Sequence, residues 1–486
     1  MTSEILFGFT GLSRALNCPL VSGGNAGGGG FISVSTDSRT VEPGGLFVAL
    51  RGAALDGHRF VEAAFNRGAA GAMVDAAALR DRSLGLEELS RKAGKPLIVV
   101  QDTLRGLQDA ARIYLEKFPD LVRIGITGSS GKTTTKEIAA AIIGREKKVM
   151  MNRGNLNSET GLPLSVFEIK RGHEAAVLEM GMNRRGEIGE LAAVLKPHIA
   201  LITNIGSAHI GIFDSRGAIA LEKKNIFSFF DGDDVALIPE DEDYRVLLAE
   251  GLRGHVRFYG PGSFEELGAP VDMGLGGTEF DWAGERVRFR LPGRYNFRNA
   301  LAAVAIAREL PVSGRAIREG LESVRPLFGR GEVLEGPVTV IRDCYTANPE
   351  SMAEAVAFCD HLAWPGRKIY VIGSMRELGR ISVDAHEELG RLLAVSAAEM
   401  IFLYGEETAA AAEILKDAGG IPFFYTTAMQ ELSEALGAFV RPGDLVLLKG
   451  SRNCALESLT EILCGREQEY GPRGKAVPVA AEGGGF

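Results

Sequence analysis

Apolar residues come along this chain in short runs separated by longer stretches of helix-like spacing. Leu121–Thr127 (LVRIGIT), Ala175–Glu179 and Ile199–Thr203 each suit one buried strand, and a helix is expected from about Thr133 to Ile143. The alternation returns later, with strands expected at Val338–Asp343, Lys368–Ile372, Met400–Tyr404 and Asp444–Lys449. Helices are expected between them, at Ser351–His361 and Glu406–Lys416. Strands alternating with helices predict parallel sheets, because a crossover between parallel neighbours is usually helical. Taken singly, an apolar run this short fits a buried helix equally well. The first part of the chain is less regular. β-like runs at Phe31–Ser35, Gly45–Leu50 and Pro96–Val100 accompany a helix-patterned stretch, His58–Val74 (HRFVEAAFNRGAAGAMV).

These patterns predict an α/β protein of three domains, and 486 residues at about 150 per domain agree. The expected units are a small N-terminal α/β domain (1–112), a central parallel-sheet domain (113–328) and a Rossmann-like third domain (329–467). The Gly/Ala/Pro-rich stretch 468–486 is expected to be a frayed tail, and Gly23–Gly30 (GGNAGGGG) a flexible loop. Hydrophobic residues make up 45%, enough for several cores without a disulfide or metal staple. A net charge of -9 argues against a protein that coats nucleic acid. Cys18, Cys344, Cys359, Cys454 and Cys464 are odd in number and form no C-x-x-C pair, which predicts free thiols and no zinc site. No apolar run approaches the ~18 residues of a membrane span, and the N-terminus lacks a secretory pattern, so a cytoplasmic protein is expected.

The strongest chemical signal is GITGSSGKTTTKE, Gly125–Glu137. It follows a strand candidate and opens a helix candidate. Glycines let the backbone curl so that its N–H groups face phosphate oxygens, and the helix N-terminus adds its positive dipole end. Lys132 would meet the β/γ-phosphates, and the Thr133 hydroxyl would ligate Mg²⁺. Thr127, Gly128, Ser129, Ser130, Gly131 and Thr134 complete the expected ATP-binding turn. The general phosphate-loop pattern wants a glycine where this chain has Ile126; Gly125 is one residue early.

With GNLNSETGLPLSV (Gly154–Val166), this loop resembles the Mur ligase family. VLEMGMNRRGEI, TNIGSAHIGIF, EKKNIF, GRYNFRNALAA and DCYTANPESM follow in family order. TDSR (Thr36–Arg39), GGLFVALRG, DGH (Asp56–His58), YTANPESM and KGSR (Lys449–Arg452) are similar to the branch of the family that adds D-alanyl-D-alanine. The resemblance implies that the first domain binds a UDP-sugar, the second ATP, and that the third closes over both. It implies that ATP phosphorylates the terminal carboxylate of UDP-N-acetylmuramoyl-tripeptide. The amine of D-alanyl-D-alanine then attacks the acyl phosphate. A monomer with no nucleic-acid partner and no membrane insertion is expected.

The family pattern also implies roles for single residues. Glu179, ending its strand, is a Mg²⁺ ligand, and His209 is a ligand of a second Mg²⁺. Lys223 carries a carbamate that turns a cation into an oxygen donor, although Leu221 and Asn225 depart from the pattern and Lys224 leaves the register open by one. Asn296 and Asn299 contact the adenine base, and both also suit the N-terminal turn of a helix. Arg330 and Asp343 touch the nucleotide from the third domain. Ser38 and Arg39 belong to the UDP-sugar site, and Asn155 and Asn157 lie near the muramoyl group. Thr346 stands where the family usually has Asn, and Ser374 where it has Asp. Three alternatives remain at this point: a related ligase with another amino donor, a phosphate-loop kinase or NTPase, and a non-catalytic nucleotide-binding protein.

Overall fold

The computed structural model describes residues 4–21, 29–52 and 55–464. The stretch 468–486 and all but the last two residues of Gly23–Gly30 lie outside them. The chain forms two compact units. One runs through Arg325 and takes in Glu377–Arg380; the other holds Pro326–Arg376 and the chain from Ile381 onward. Three α/β domains are built on three principal sheets, two of them within the first unit.

The N-terminal sheet has the order Leu20–Val21, Leu97–Val100, Gly71–Asp75, Leu46–Val48, Val34–Ser35. Its first strand is antiparallel to its neighbour and the others are parallel. The expected helix over His58–Val74 is corrected here: the helix Val61–Asn66 ends early, and Gly71–Asp75 is a central strand. The run is buried on both faces, so it carries no period-2 alternation to betray a strand. Gly71 is obligatory there, since a Cβ would lie 2.5 Å from the Phe9 ring. The run Phe31–Ser35 also divides: Gly30–Phe31 pairs antiparallel with Phe7–Gly8, whereas Val34–Ser35 joins the sheet.

The central sheet is wholly parallel, in the order His255–Tyr259, Val235–Pro239, Ile199–Ile202, Val122–Thr127, Ala175–Glu179, Val149–Met151. Its first strand in sequence, Val122–Thr127, lies inside the sheet. The chain builds outward to one side and then to the other. The strand order therefore reverses beside the C-terminal end of Val122–Thr127, the place where open parallel sheets leave a crevice for ligands. The helices Lys132–Ile143 and Arg294–Arg308 pack together, and Gly320 comes so close to Ile142 that a Cβ would lie 2.4 Å from its Cα. A continuous core joins the first two domains, running from Phe9 and Phe31 through Tyr114 to Phe167 and Leu178. The Tyr114 hydroxyl donates to the Ile169 carbonyl at 2.7 Å. A three-stranded antiparallel sheet, Val271–Asp272, Thr278–Trp282 and Glu285–Phe289, follows the central sheet.

The third sheet, in the second unit, has the order Glu332–Leu334, Thr339–Asp343, Leu445–Lys449, Lys368–Gly373, Met400–Tyr404, Phe423–Thr426. Only its first pairing is antiparallel. Asn348 starts the helix Pro349–His361 with a capping box: its side chain accepts from Ser351 N, and the Ser351 hydroxyl accepts from Asn348 N.

Candidate active site

The strand Val122–Thr127 delivers the chain to the loop Gly128–Gly131, and the helix Lys132–Ile143 begins at once. Two glycines are required by contact. At Gly128, φ is +153° and a Cβ would lie 1.8 Å from the Thr203 hydroxyl oxygen. At Gly131, φ is +80° and a Cβ would lie 2.3 Å from Asn299 Oδ1. The neighbouring strand end supplies the loop's other supports. Thr203 Oγ1 donates to Ser130 O at 2.6 Å, and Asn204 Nδ2 donates to Ser130 Oγ at 2.9 Å. Ser130 N donates to Asn204 Oδ1, and Ser129 N to Asn204 O. Two of the amides expected to face phosphate are thereby bonded inside the protein. Gly206 N donates to Ser129 Oγ at 2.8 Å, and Thr134 sits half-buried on the first helical turn.

Thr133 and Glu179 come together across two adjacent elements. Thr133 Oγ1 donates to Glu179 Oε2 at 2.7 Å, and Asn157 Nδ2 donates to the other carboxylate oxygen, also at 2.7 Å. Glu179 is 3% exposed, so its carboxylate is satisfied by a hydroxyl and an amide rather than by water. Its main chain is held from one side by Asn152, whose own carbonyl accepts from the buried Lys136 ammonium. Asn155 is exposed in the same loop, with its carbonyl 2.7 Å from Asn157 N.

The two site lysines converge on one atom: Lys132 Nζ lies 2.8 Å and Lys223 Nζ 2.9 Å from the Gly128 carbonyl oxygen. Lys223 is fully buried, with Met182 Sδ at 3.7 Å. Burial drives its ammonium well below the ordinary lysine value, and the neighbouring charge of Lys132 adds to the shift. Lys224 points elsewhere, donating to Leu247 O and Glu250 O. Of the adjacent pair, Lys223 is therefore the one at the phosphate loop. His209 caps the short helix Ile210–Phe213 at φ +64°, and its Nδ1 lies 2.6 Å from Glu377 Oε2. That contact holds the Glu377 carboxyl below its usual range. Glu242 steadies the loop leading to His209 by accepting from Ile205 N at 2.9 Å, and burial pushes its carboxyl up.

Asn299 stands against the loop: Thr135 Oγ1 lies 3.4 Å from its Oδ1. Asn296, one turn earlier, donates to Pro292 O at 2.8 Å, which satisfies part of its amide within its own segment. Ser38 and Arg39 lie in a turn of the N-terminal domain. The exposed Arg39 guanidinium is paired with Asp37, which also accepts from Arg39 N. Arg330 and Asp343 belong to the second unit. The Arg330 guanidinium covers the Tyr345 ring at 4.1 Å, and Asp343 pairs with the buried Lys449 at 3.0 Å. Lys136, Asn152, Thr203 and Asn204 had no sequence-based assignment. Lys136 had one legible signal, standing three residues after Thr133 and so on the same helix face.

The residues suit a magnesium nucleotide. The loop holds two glycines where a side chain has no room, and the buried Thr127 hydroxyl has no hydrogen-bond partner among the described residues. Thr133 and Glu179 offer the oxygen donors that a hard cation takes. Among the described residues no three His, Cys, Asp and Glu side chains cluster as a metal site. An ion here would complete its shell from phosphate and water, as Mg²⁺ commonly does. No described helix is long and apolar enough to cross a membrane, and the cysteines form no disulfide among the described residues.

Comparison with known proteins agrees with this geometry. Family models match over residues 31–114 (Mur ligase family, catalytic domain), 126–307 (Mur ligase middle domain) and 329–452 (Mur ligase, glutamate ligase domain). The UDP-N-acetylmuramoyl-tripeptide–D-alanyl-D-alanine ligase of Treponema pallidum is 44% identical, over 90% of this chain and 95% of the relative. The ligase of the same name from Bacillus subtilis is 35% identical, over 88% and 92%. Among solved structures, MurF from Acinetobacter baumannii superposes with a TM-score of 0.83 at 29% identity, covering 95% of this chain and 99% of that one. MurF ligase from Thermotoga maritima in complex with ADP gives 0.74 at 28% identity, covering 89% and 96%. With three Mur ligase family models matched along the chain and relatives matched along nearly their whole length, the chain belongs to the Mur ligase family, of the MurF type.

Proposed function

We propose that the chain is an ATP-dependent ligase joining D-alanyl-D-alanine to UDP-N-acetylmuramoyl-tripeptide, with release of ADP and phosphate. The observation that carries the reading is the 44% identity, over 90% of this chain, to a relative named for that activity. The chemistry of the residues around the phosphate loop supports it. A carboxylate is a poor electrophile because its oxygen will not leave. Transfer of the γ-phosphoryl group to that oxygen makes it a leaving group. The dipeptide nitrogen then attacks the acyl carbon, the C–O bond to phosphate breaks, and the nitrogen loses its proton.

All reacting groups but the amine are anionic, so positive charge must be arranged in advance. In this reading the leading turn of the helix Lys132–Ile143 receives the phosphates, and the Lys132 ammonium swings from Gly128 O to them. Thr133 and Glu179 would hold Mg²⁺, which when bound supplies further positive charge to the phosphate oxygens. Lys223, whose ammonium form is disfavoured by burial and by the neighbouring Lys132, is the amine that would take up CO₂, losing a proton to leave an anionic carbamate. His209 is assigned to a second ion. We assign the UDP-muramoyl end to residues 1–112 with Ser38 and Arg39, the muramoyl group to Asn155 and Asn157, and the nucleotide to residues 113–328. The chain is read as a cytoplasmic monomer, and cysteines joined in no disulfide among the described residues suit a reducing compartment.

The test is ADP release with purified protein. Steady turnover is expected only when UDP-N-acetylmuramoyl-tripeptide and D-alanyl-D-alanine are both present. Equal turnover with single amino acids would assign another amino donor, and sustained turnover with the tripeptide alone would favour a kinase or NTPase.

A further inference from the structure

We propose that Asn152 and Lys136 are positioning residues that aim the Glu179 carboxylate; the inference rests on the reading of Glu179 as a metal ligand. The edge strand Val149–Met151 pairs in parallel with Ala175–Glu179, but the pairing stops at Met151 opposite Val177. Glu179 lies two residues further on, where the edge strand has already turned away. The Asn152 side chain takes the missing strand's place. Its Oδ1 accepts from Glu179 N at 2.9 Å, and its Nδ2 donates to Glu179 O at 3.1 Å. One side-chain amide thus supplies the donor and acceptor that a neighbouring backbone would have offered. The same Nδ2 donates to Leu156 O at 2.7 Å, anchoring the loop that carries Asn157 to the Glu179 carboxylate.

Asn152 is itself fastened from the phosphate side. Lys136, fully buried on the helix Lys132–Ile143, donates to Asn152 O at 2.5 Å; Glu137 Oε1 lies 3.4 Å from the same ammonium. Burying an ammonium is costly unless its partners compensate. A neutral side chain could join helix to loop without that cost, so an ammonium directly behind the metal carboxylate points to function beyond packing. Thr133 and Lys136 share the helix face toward this strand end. Thr133 meets the carboxylate and Lys136 fixes the residue that holds its main chain. These contacts therefore fix the phosphate-loop helix and the Glu179 carboxylate to each other.

The test compares full-length wild type with Asn152→Ala, Asn152→Ser, Lys136→Met and Lys136→Arg. Binding of ADP is titrated calorimetrically with and without Mg²⁺, Mn²⁺ binding is followed by electron paramagnetic resonance, and steady-state constants and melting temperatures are measured. Asn152→Ala and Lys136→Met are expected to weaken Mn²⁺ binding about tenfold or more, the usual range for losing a group that orients a metal ligand. Metal-free ADP binding and KM for D-alanyl-D-alanine should stay near wild type, and Lys136→Arg should recover most of the loss. Metal affinity unchanged while melting temperature falls would overturn the proposal. If Lys136→Met does not fold, the Asn152 variants decide: Asn152→Ser with wild-type metal binding would refute it. Failure of wild type itself to bind Mg²⁺ with ADP would instead overturn the reading of Glu179.

Discussion

Gly131→Ala tests whether the phosphate loop depends on a backbone and a space that only glycine allows. The residue sits at φ +80°, and its added Cβ would lie 2.3 Å from Asn299 Oδ1 and 3.1 Å from Asn299 Cγ. A left-handed conformation costs a non-glycine residue about 1–2 kcal/mol. Displacing Asn299 also breaks its contact with Thr135 Oγ1, a neutral hydrogen bond worth about 1 kcal/mol. Together the strain is about 2–3 kcal/mol. If the leading helical turn shifts to relieve it, ADP affinity should fall about 30- to 150-fold at 1.4 kcal/mol per decade. If the loop stays in place, the same energy should disappear from the unfolding free energy. Calorimetric titration with Mg·ADP and urea unfolding distinguish the two. A single variant that binds ADP within twofold of wild type and unfolds at the same urea concentration would refute the reasoning.

Glu179→Gln keeps the size of the side chain but sets an amide in a site arranged to hold two carboxylate oxygens, and it should abolish the Mg²⁺ dependence of ADP binding while leaving metal-free binding near wild type. Lys223 makes stability depend on pH: its folded-state value lies well below 10.5, so the unfolded chain binds the proton more tightly, and wild-type stability should rise with pH up to about 10.5. Lys223→Met should remove that slope in CO₂-free buffer, seen as a pH series of urea midpoints; an unaltered slope would mean the lysine is not held neutral. In the N-terminal domain, the buried His58 bridges Asp56 Oδ1 at 2.6 Å and Asp75 N at 3.0 Å. His58→Ala should cost about 1–3 kcal/mol for the orphaned Asp75 N–H alone, measured as a loss of urea stability.

Much of the parallel architecture is legible in the sequence, because strands buried on both faces read as apolar runs and the helices between them make crossovers. Val122–Thr127, Ala175–Glu179 and Ile199–Ile202 lie close to where those runs place them. The same property hid Gly71–Asp75: its run Gly71–Val74, without polar alternation, merged with the helical pattern before it. At the site, chain order alone made Lys132 and Thr133 readable, since a glycine turn between strand and helix is a local event. Which lysine of the pair Lys223–Lys224 faces inward was not local. One residue of helix is a rotation of about 100°, and only packing of Arg216–Lys224 sends Lys223 to Gly128 O and Lys224 to Leu247 O.

The sequence by itself determined the succession of strands and helices, the phosphate loop and the family, because these depend on residues that are neighbours or stand in fixed order. Tertiary structure alone decided that Lys132 and Lys223 share one carbonyl, that Thr203 and Asn204 support the loop, and that Asn152 and Lys136 hold the main chain of Glu179. Apart from Lys132 to Gly128 O, four residues away, each of those contacts joins separate segments packed on a sheet whose strand order is not its chain order, so distance along the chain is a poor guide to distance in space.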